Sequence, residues 1–147
     1  MAEFDIGSVI GSAPIAEVEY FQTGFILQLK FITKAQFEAM GKRHTKRQFN
    51  RKTHTREDQL DTAGMSRDLA KHCIKGWRGL TPDILFELVP IKDEAKESIR
   101  GVEEIGYTEK NAENIVANSY NFDTWLAEIC TDISNFQSSD EEGLRGN

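Results

Sequence analysis

EVEYFQTGFILQLKFITKAQFEAM, running from Glu17 to Met40, contains two different periods, and the change between them decides how the chain is read. Up to Phe31 the period is two. Val18 and Tyr20, then Phe25, Leu27, Leu29 and Phe31, take alternate positions, with Glu17, Glu19, Gln28 and Lys30 between them. Alternation with aromatic and β-branched residues is the pattern of a strand with one face buried. Gln22-Thr23-Gly24 supplies the turn, because Gly24 can take a positive φ without steric cost. Residues 16–32 are therefore expected to form a β-hairpin. At Thr33 the period becomes helical. Thr33 is a good N-cap with Gln36 three residues on, the spacing of a capping box, and Phe37 and Met40 share one stripe.

Upstream, residues 1–15 hold Gly7, Ser8, Gly11, Ser12 and Pro14 without a period, and read as a flexible lead-in. Downstream, the apolar stripe stops after Gly41, and the chain is expected to be helix over 34–49 and loop over 50–55. Thr55 or Arg56 opens the next expected helix, with Glu57 and Asp58 in its first turn, where acids meet the positive end of the dipole. Met65, Leu69, Cys73, Gly76 and Trp77 then recur at spacings of three and four, carrying this helix to about Gly76. Thr81-Pro82-Asp83 is a start signal: a cap, a proline at the first helical position and an acid. It favours a short helix over 84–89, with a buried strand as the alternative. Residues 91–107 read as a charged connector. Thr108 caps a helix with Ala112, Ile115, Val116 and Ser119 on one face. After Asn121 follows the cleanest apolar stripe: Phe122, Trp125, Leu126, Ile129, Cys130, Ile133 and Phe136. Trp125 is expected in the main core with Ile129, Ile133 and Phe136. The predicted fold class is mainly α. One helical domain, residues 16–136 with an N-terminal β-hairpin, lies between a flexible N-terminus, 1–15, and a flexible acidic tail, 137–147.

Composition sets the bounds. A chain of 147 residues, 39% apolar and 29% charged, suits one domain with its own core. No apolar run exceeds three residues, Ile84-Leu85-Phe86 being one, so no membrane helix is expected. Glu3 and Asp5 stand where a secretory signal needs base, so the protein is expected to stay where it is made. Cys73 and Cys130 lie far apart in sequence, each in an apolar stripe, and read as buried reduced thiols. The net charge of −6 is uneven: residues 1–56 hold nine basic against five acidic side chains, and residues 57–147 hold nine against nineteen. Such asymmetry reports on partners or self-association rather than on fold.

Catalytic constellations are not evident. Gly76-Trp77-Arg78-Gly79 lacks the spacing and the lysine of a phosphate-binding loop. His44 and His54 sit among like charges that repel a metal, and His72-Cys73, adjacent on a helix, point about 100° apart. Glu103-Glu104 and Asp140-Glu141-Glu142 have no apolar walls to shift a pKa, as acid–base work requires. No enzyme activity and no cofactor are expected. Trp77 and Trp125 read as core residues more readily than as ligand-stacking platforms.

The polar feature that stands out is the stretch 42–56, with seven Lys/Arg in fifteen residues. A helix there would be polar all round, so packing could not hold it. The stretch is open to three readings: a solvated face, a site for an acidic protein partner, or a phosphate-backbone contact. Phe49 alone interrupts it, which is little for single-strand stacking, and the acidic balance of the whole argues against nucleic acid. The candidate partner-binding residues are Lys42, Arg43, Lys46, Arg47, Arg51 and Lys52.

A set of short elements recurs in a distinctive order. His72-Cys73-Ile74-Lys75-Gly76-Trp77-Arg78-Gly79-Leu80 is followed by Ile105-Gly106-Tyr107-Thr108-Glu109-Lys110-Asn111-Ala112. Phe122-Asp123-Thr124-Trp125-Leu126 and Asp132-Ile133-Ser134-Asn135-Phe136 then close the chain. With the leading hairpin, this order over roughly residues 16–136 resembles the tail assembly chaperones of siphophages, the long-tailed bacteriophages. In that resemblance the Gly76-Trp77 element ends a helix, the Tyr107-Thr108 element starts the next, and Phe122 to Phe136 form the last. The resemblance implies a role in tail morphogenesis. Such a protein binds the tape measure protein, brings tail tube subunits to it, and can associate with itself. It acts in the host cytoplasm, is absent from the mature virion, and is often also made in a longer, frameshifted form. The rival readings are a small nucleic-acid-binding protein using residues 42–56 and a minor structural virion protein.

Overall fold

The computed structural model describes residues 4–137. In chain order the elements are α1 (Ile6–Val9), β1 (Ile15–Glu19), β2 (Ile26–Lys30), α2 (Lys34–Arg43), β3 (Thr45–Asn50), β4 (Thr55–Leu60), α3 (Thr62–Cys73), β5 (Ile74–Arg78), α4 (Pro82–Leu88), α5 (Asp93–Arg100), α6 (Glu109–Asn118) and α7 (Phe122–Cys130). A three-stranded antiparallel sheet has the order β1-β2-β5, and β3 and β4 form a separate two-stranded sheet. The class is mixed α/β, which corrects the expectation of a mainly α fold with one hairpin.

The leading hairpin forms as the alternation requires. Ala16 pairs with Leu29 and Val18 with Leu27, and Gly24 takes φ 85° in the turn. Leu27 and Leu29 are fully buried, while Ile15, Glu17 and Glu19 lie on the open face. The capping box of α2 is complete: the Gln36 N–H donates to Thr33 Oγ1 and the Thr33 N–H to Gln36 Oε1, both at 3.0 Å.

β5 takes the residues expected to end a long helix. It pairs with β2, Trp77 opposite Leu27 and Ile74 opposite Leu29, with a register shift between Gln28 and Leu29 that leaves Lys75 as an extra residue. Strand side chains alternate, so residues 74 and 77 would normally face opposite ways; a bulge between them turns both toward the core. That spacing of three imitates a helical stripe, which is why the residues merged with the preceding helix in the sequence. The outer edge of β5 is held by the segment before α6. Trp77 Nε1 donates to the Ile105 carbonyl at 2.9 Å, and the Tyr107 hydroxyl donates to the Ile74 carbonyl at 3.3 Å.

Helices α3 and α6 pack closely together and both contact β5, while α7 joins them at the side. The core includes Phe25, Leu27, Leu29, Met40, Leu69, Ile74, Leu80, Val116, Phe122, Leu126 and Phe136. The 81–89 segment is helical: α4 is capped by Thr81, with Pro82 in its first turn. Thr108 caps α6, accepting from the Asn111 N–H at 2.9 Å. Two further expectations need correction. The connector 91–107 contains α5, and the buried residues of α7 are Phe122, Leu126 and Cys130. Trp125 is only partly buried, one position round the helix, and Ile133 is exposed. Trp125 stacks on Phe122 at 5.4 Å and meets the edge of Tyr20 at 5.0 Å. The acidic tail from residue 138 onward lies outside the described residues.

Candidate protein-interaction surface

The basic stretch is neither helix nor loop. It is a hairpin in which β3 and β4 pair with each other from Thr45 opposite Leu60 to Asn50 opposite Thr55. Three local features end α2 at Arg43 and turn the chain. The Thr45 hydroxyl donates back to the Gly41 carbonyl at 2.7 Å. Thr45 and Thr55, the first residues of β3 and β4, are β-branched and suit extended backbone. Asn50 Oδ1 accepts from the Lys52 N–H at 2.9 Å, an Asx-type turn that starts the reversal, and His54 completes it at φ 54°. A polar-all-round helix has nothing to pack, whereas a ribbon satisfies its backbone across the two strands.

The base of the ribbon is clamped. The Asp61 N–H donates to the His44 carbonyl at 2.7 Å, and the Asp61 carboxylate then caps α3 by accepting from the Gly64 N–H at 3.0 Å. Arg43 and His44 both reach Asp68 Oδ2 on α3 at 3.0 Å. Partial burial raises the Asp68 carboxyl pKa, but the hydrogen bonds from His44 and Arg43, with their charges, together bring it below the ordinary carboxylate value. Arg43 is thus anchored to its own chain. Beyond the base, the side chains from Thr45 to Leu60 stand in solvent, half-covered only at Asn50. Glu57 and Asp58, expected in a helix's first turn, lie on β4.

The six candidate residues do not form one patch. Lys42 and Arg43 lie at the end of α2, Lys46 and Arg47 on β3, and Arg51 and Lys52 in the turn. Adjacent strand residues point to opposite faces. Lys46 therefore shares a face with Gln48, Glu57 and Gln59. Arg47 shares the other with Phe49, Arg56, Asp58 and Leu60. Arg47 and Asp58 approach to 3.9 Å with both side chains more than two-thirds exposed, a pair that contributes little. The second face carries two exposed apolar side chains, Phe49 and Leu60. It is a basic ribbon with an aromatic near its tip.

Sequence reasoning missed what lies at the ribbon's base. Leu60, Phe37, Gly41 and Met65 line a hollow of about 410 Å³ with Lys42 and Glu38 on its rim. Phe37 and Met65 also line a second hollow of about 250 Å³, which continues past Leu69 and Ala127 to Asp123 and Glu128. The two make one apolar trough across α2, α3 and α7. Of its lining residues Leu69 is buried at the base, while Phe37, Met65 and Ala127 are only partly covered.

This chain matches no protein-family model, no curated protein and no solved structure.

Chemistry elsewhere is sparse. Among the described residues no cluster of three or more His, Cys, Asp and Glu side chains is arranged to hold a metal ion. The carboxyls whose pKa moves all move down: Glu17 through its hydrogen bonds from Arg78, Asp68 as above, and Asp132 through Ser134. A carboxyl lowered in this way is ionised at neutral pH and has no proton to donate. Cys73 and Cys130 are free and buried; their side chains face each other, and Cys73, with burial, pushes the Cys130 thiol up. No helix among the described residues is long and apolar enough to cross a membrane.

Proposed function

We propose that this chain is a tail assembly chaperone of a long-tailed bacteriophage, holding the tape measure protein and recruiting tail tube subunits in the host cytoplasm, and leaving before the virion is complete. The observation that carries the reading is the projecting basic ribbon β3–β4 with an open apolar trough at its foot. A holdase needs exposed apolar surface to grip a partner and charge around it to remain dissolved. The ordered elements Ile74 to Leu80, Ile105 to Ala112 and Phe122 to Phe136 support the phage assignment through the resemblance they carry.

Five of the six candidate residues are exposed and not held by Asp68: Lys42, Lys46, Arg47, Arg51 and Lys52. They bind an acidic protein surface, and the approach is salt-sensitive because screening acts beyond about 8 Å at physiological ionic strength. A two-stranded basic ribbon also has a shape that enters a major groove, but Glu57 and Asp58 on β4 stand among the bases and repel phosphate. The test is co-purification of the tape measure protein with the wild-type chain and with Lys46→Glu/Arg47→Glu/Arg51→Glu/Lys52→Glu. Loss of the complex with an unchanged melting curve is expected. Retention of the complex removes the ribbon from partner binding, and a gel shift that the variant abolishes makes the ribbon a nucleic-acid site.

A further inference from the structure

The far hollow of the trough, about 250 Å³ between α3 and α7, carries polar groups that the packing leaves unused. Ser66 on α3 lines it. This residue is only 7% exposed, and its hydroxyl has no hydrogen-bond partner among the described residues. The hydroxyl is nevertheless not sealed from solvent, so it opens into the hollow. From the other side α7 contributes Asp123 and Glu128. Asp123 Oδ1 accepts from the Thr124 N–H at 2.9 Å and from the Ser119 hydroxyl at 3.5 Å, which leaves Oδ2 for another donor. The Glu128 carboxylate accepts from no described residue, and neither acid forms an ion pair with one. No Lys, Arg or His stands among the lining residues, whose apolar members are Phe37, Met65, Leu69 and Ala127. The adjoining hollow holds Lys42 and Glu38, one of each sign.

We propose that this hollow binds a short aliphatic diamine. Glu128 follows Asp123 by five positions, which is about 7.5 Å along a helix axis. A diamine of four or five carbons has a comparable length, so each ammonium meets one carboxylate while the methylenes cross Met65, Leu69 and Ala127. An apolar lining with a few placed polar groups is the usual make-up of a small-molecule site. An apolar cavity of about 150 Å³ holds a benzene ring, so a narrower alkyl chain fits this larger hollow. An ammonium brings three donors and no acceptor, and the open Ser66 hydroxyl accepts one of them. Other ligand classes match less of the lining. A single amine leaves one carboxylate unmatched, and an anion meets two like charges. One metal ion, which holds oxygen at about 2.0–2.6 Å, cannot bridge carboxylates set this far apart.

The site rests on the lining of the hollow and needs no other protein, so its test is independent of the chaperone reading. Isothermal titration of the full-length chain compares putrescine, a four-carbon diamine, with butylamine and with butanediol. Saturable one-to-one binding of putrescine is expected, about tenfold weaker binding of butylamine, and none of butanediol. Two variants remove different parts of the site. Asp123→Asn/Glu128→Gln takes away both charges and keeps the acceptor for the Thr124 N–H. Ala127→Leu fills the hollow and leaves the charge unchanged. Each should weaken putrescine binding by about tenfold or more, and melting curves check that both fold. Amide shifts at Ser66 and Ala127 in isotope-labelled protein should follow the same titration. The absence of saturable putrescine binding overturns the proposal. Butylamine binding as tightly as putrescine also overturns it, and makes the hollow a pocket for one amine, such as a partner's lysine. Unchanged binding in either variant places the diamine elsewhere on this acidic chain and overturns it as well.

Discussion

Gly79→Ala tests the least expected feature of the fold, the arrival of β5 at the turn of the leading hairpin. Gly79 has φ 77°, and a Cβ built on it runs into the backbone carbonyl oxygen of Gly24. Gly24 has nearly the same backbone sign, φ 85°, but a Cβ there meets nothing within 4 Å. Placing an L-residue in the left-handed region costs about 1–2 kcal/mol at either site. At Gly79 the added methyl must also displace the hairpin turn or the end of β5, an overpacking cost of about 1–3 kcal/mol. Gly24→Ala should therefore destabilise by about 1–2 kcal/mol and Gly79→Ala by about 2–5 kcal/mol. Urea melts of both variants and the wild type, fitted with a common m-value, measure the difference. Equal losses at the two sites would mean that β5 does not end against the hairpin turn, and the three-stranded sheet as described would be wrong.

Three further outcomes follow from the same packing. Trp125→Ala should cost about 2–3 kcal/mol, below the 3–5 of a fully buried tryptophan, because one side of the ring faces solvent while the other meets Phe122 and Tyr20; a neutral thermal melt would place the indole outside the core altogether. His72 is held below its ordinary value of 6.5 by burial first, then by Lys30 and Lys75. The folded chain thus resists a proton that the unfolded chain accepts, so stability is fully present above pH 6.5 and falls as pH drops toward the lowered folded value. His72→Gln should flatten that decline in melts taken at successive pH values, and an unchanged slope would assign it to other groups. Cys73 and Cys130 are buried, with the Cys130 thiol pushed up by its neighbour and by burial. Both should resist iodoacetamide in the native chain and react in urea, and rapid native labelling would show that the core opens readily.

The elements legible from sequence are those whose information is local. Alternation from Val18 to Phe31, the Gly24 turn, the Thr33–Gln36 capping box and the Thr81-Pro82-Asp83 start each depend on neighbours within a few residues, and each stands in the structure as read. Two errors share a cause. Ile74 and Trp77 sit three apart because of a bulge whose reason is β2, a strand nearly fifty residues away, so the spacing imitated a helix. The basic stretch was extended as helix from α2, although a helix there would have had nothing to pack. That lack was the available signal for a ribbon, since Thr45, Thr53 and Thr55 with Asn50 and His54 could form one without burying a face.

The candidate site divides the same way. Charge is written in the sequence, and Lys46, Arg47, Arg51 and Lys52 stand exposed on the ribbon and its turn. Which of the basic residues are free depends on Asp68, which takes Arg43 and His44 from across the chain, and on strand alternation, which sends Lys46 and Arg47 to opposite faces. The trough could not be read from Phe37, Met65 and Ala127, because an apolar side chain carries no mark of how far other elements will cover it. By itself the sequence determined local conformation and the sign of the charge, since both act over a few residues or belong to single side chains. Strand pairing, the tilt of the α7 stripe and the open floor between helices were decided by tertiary structure, because burial belongs to pairs of surfaces that only folding brings together.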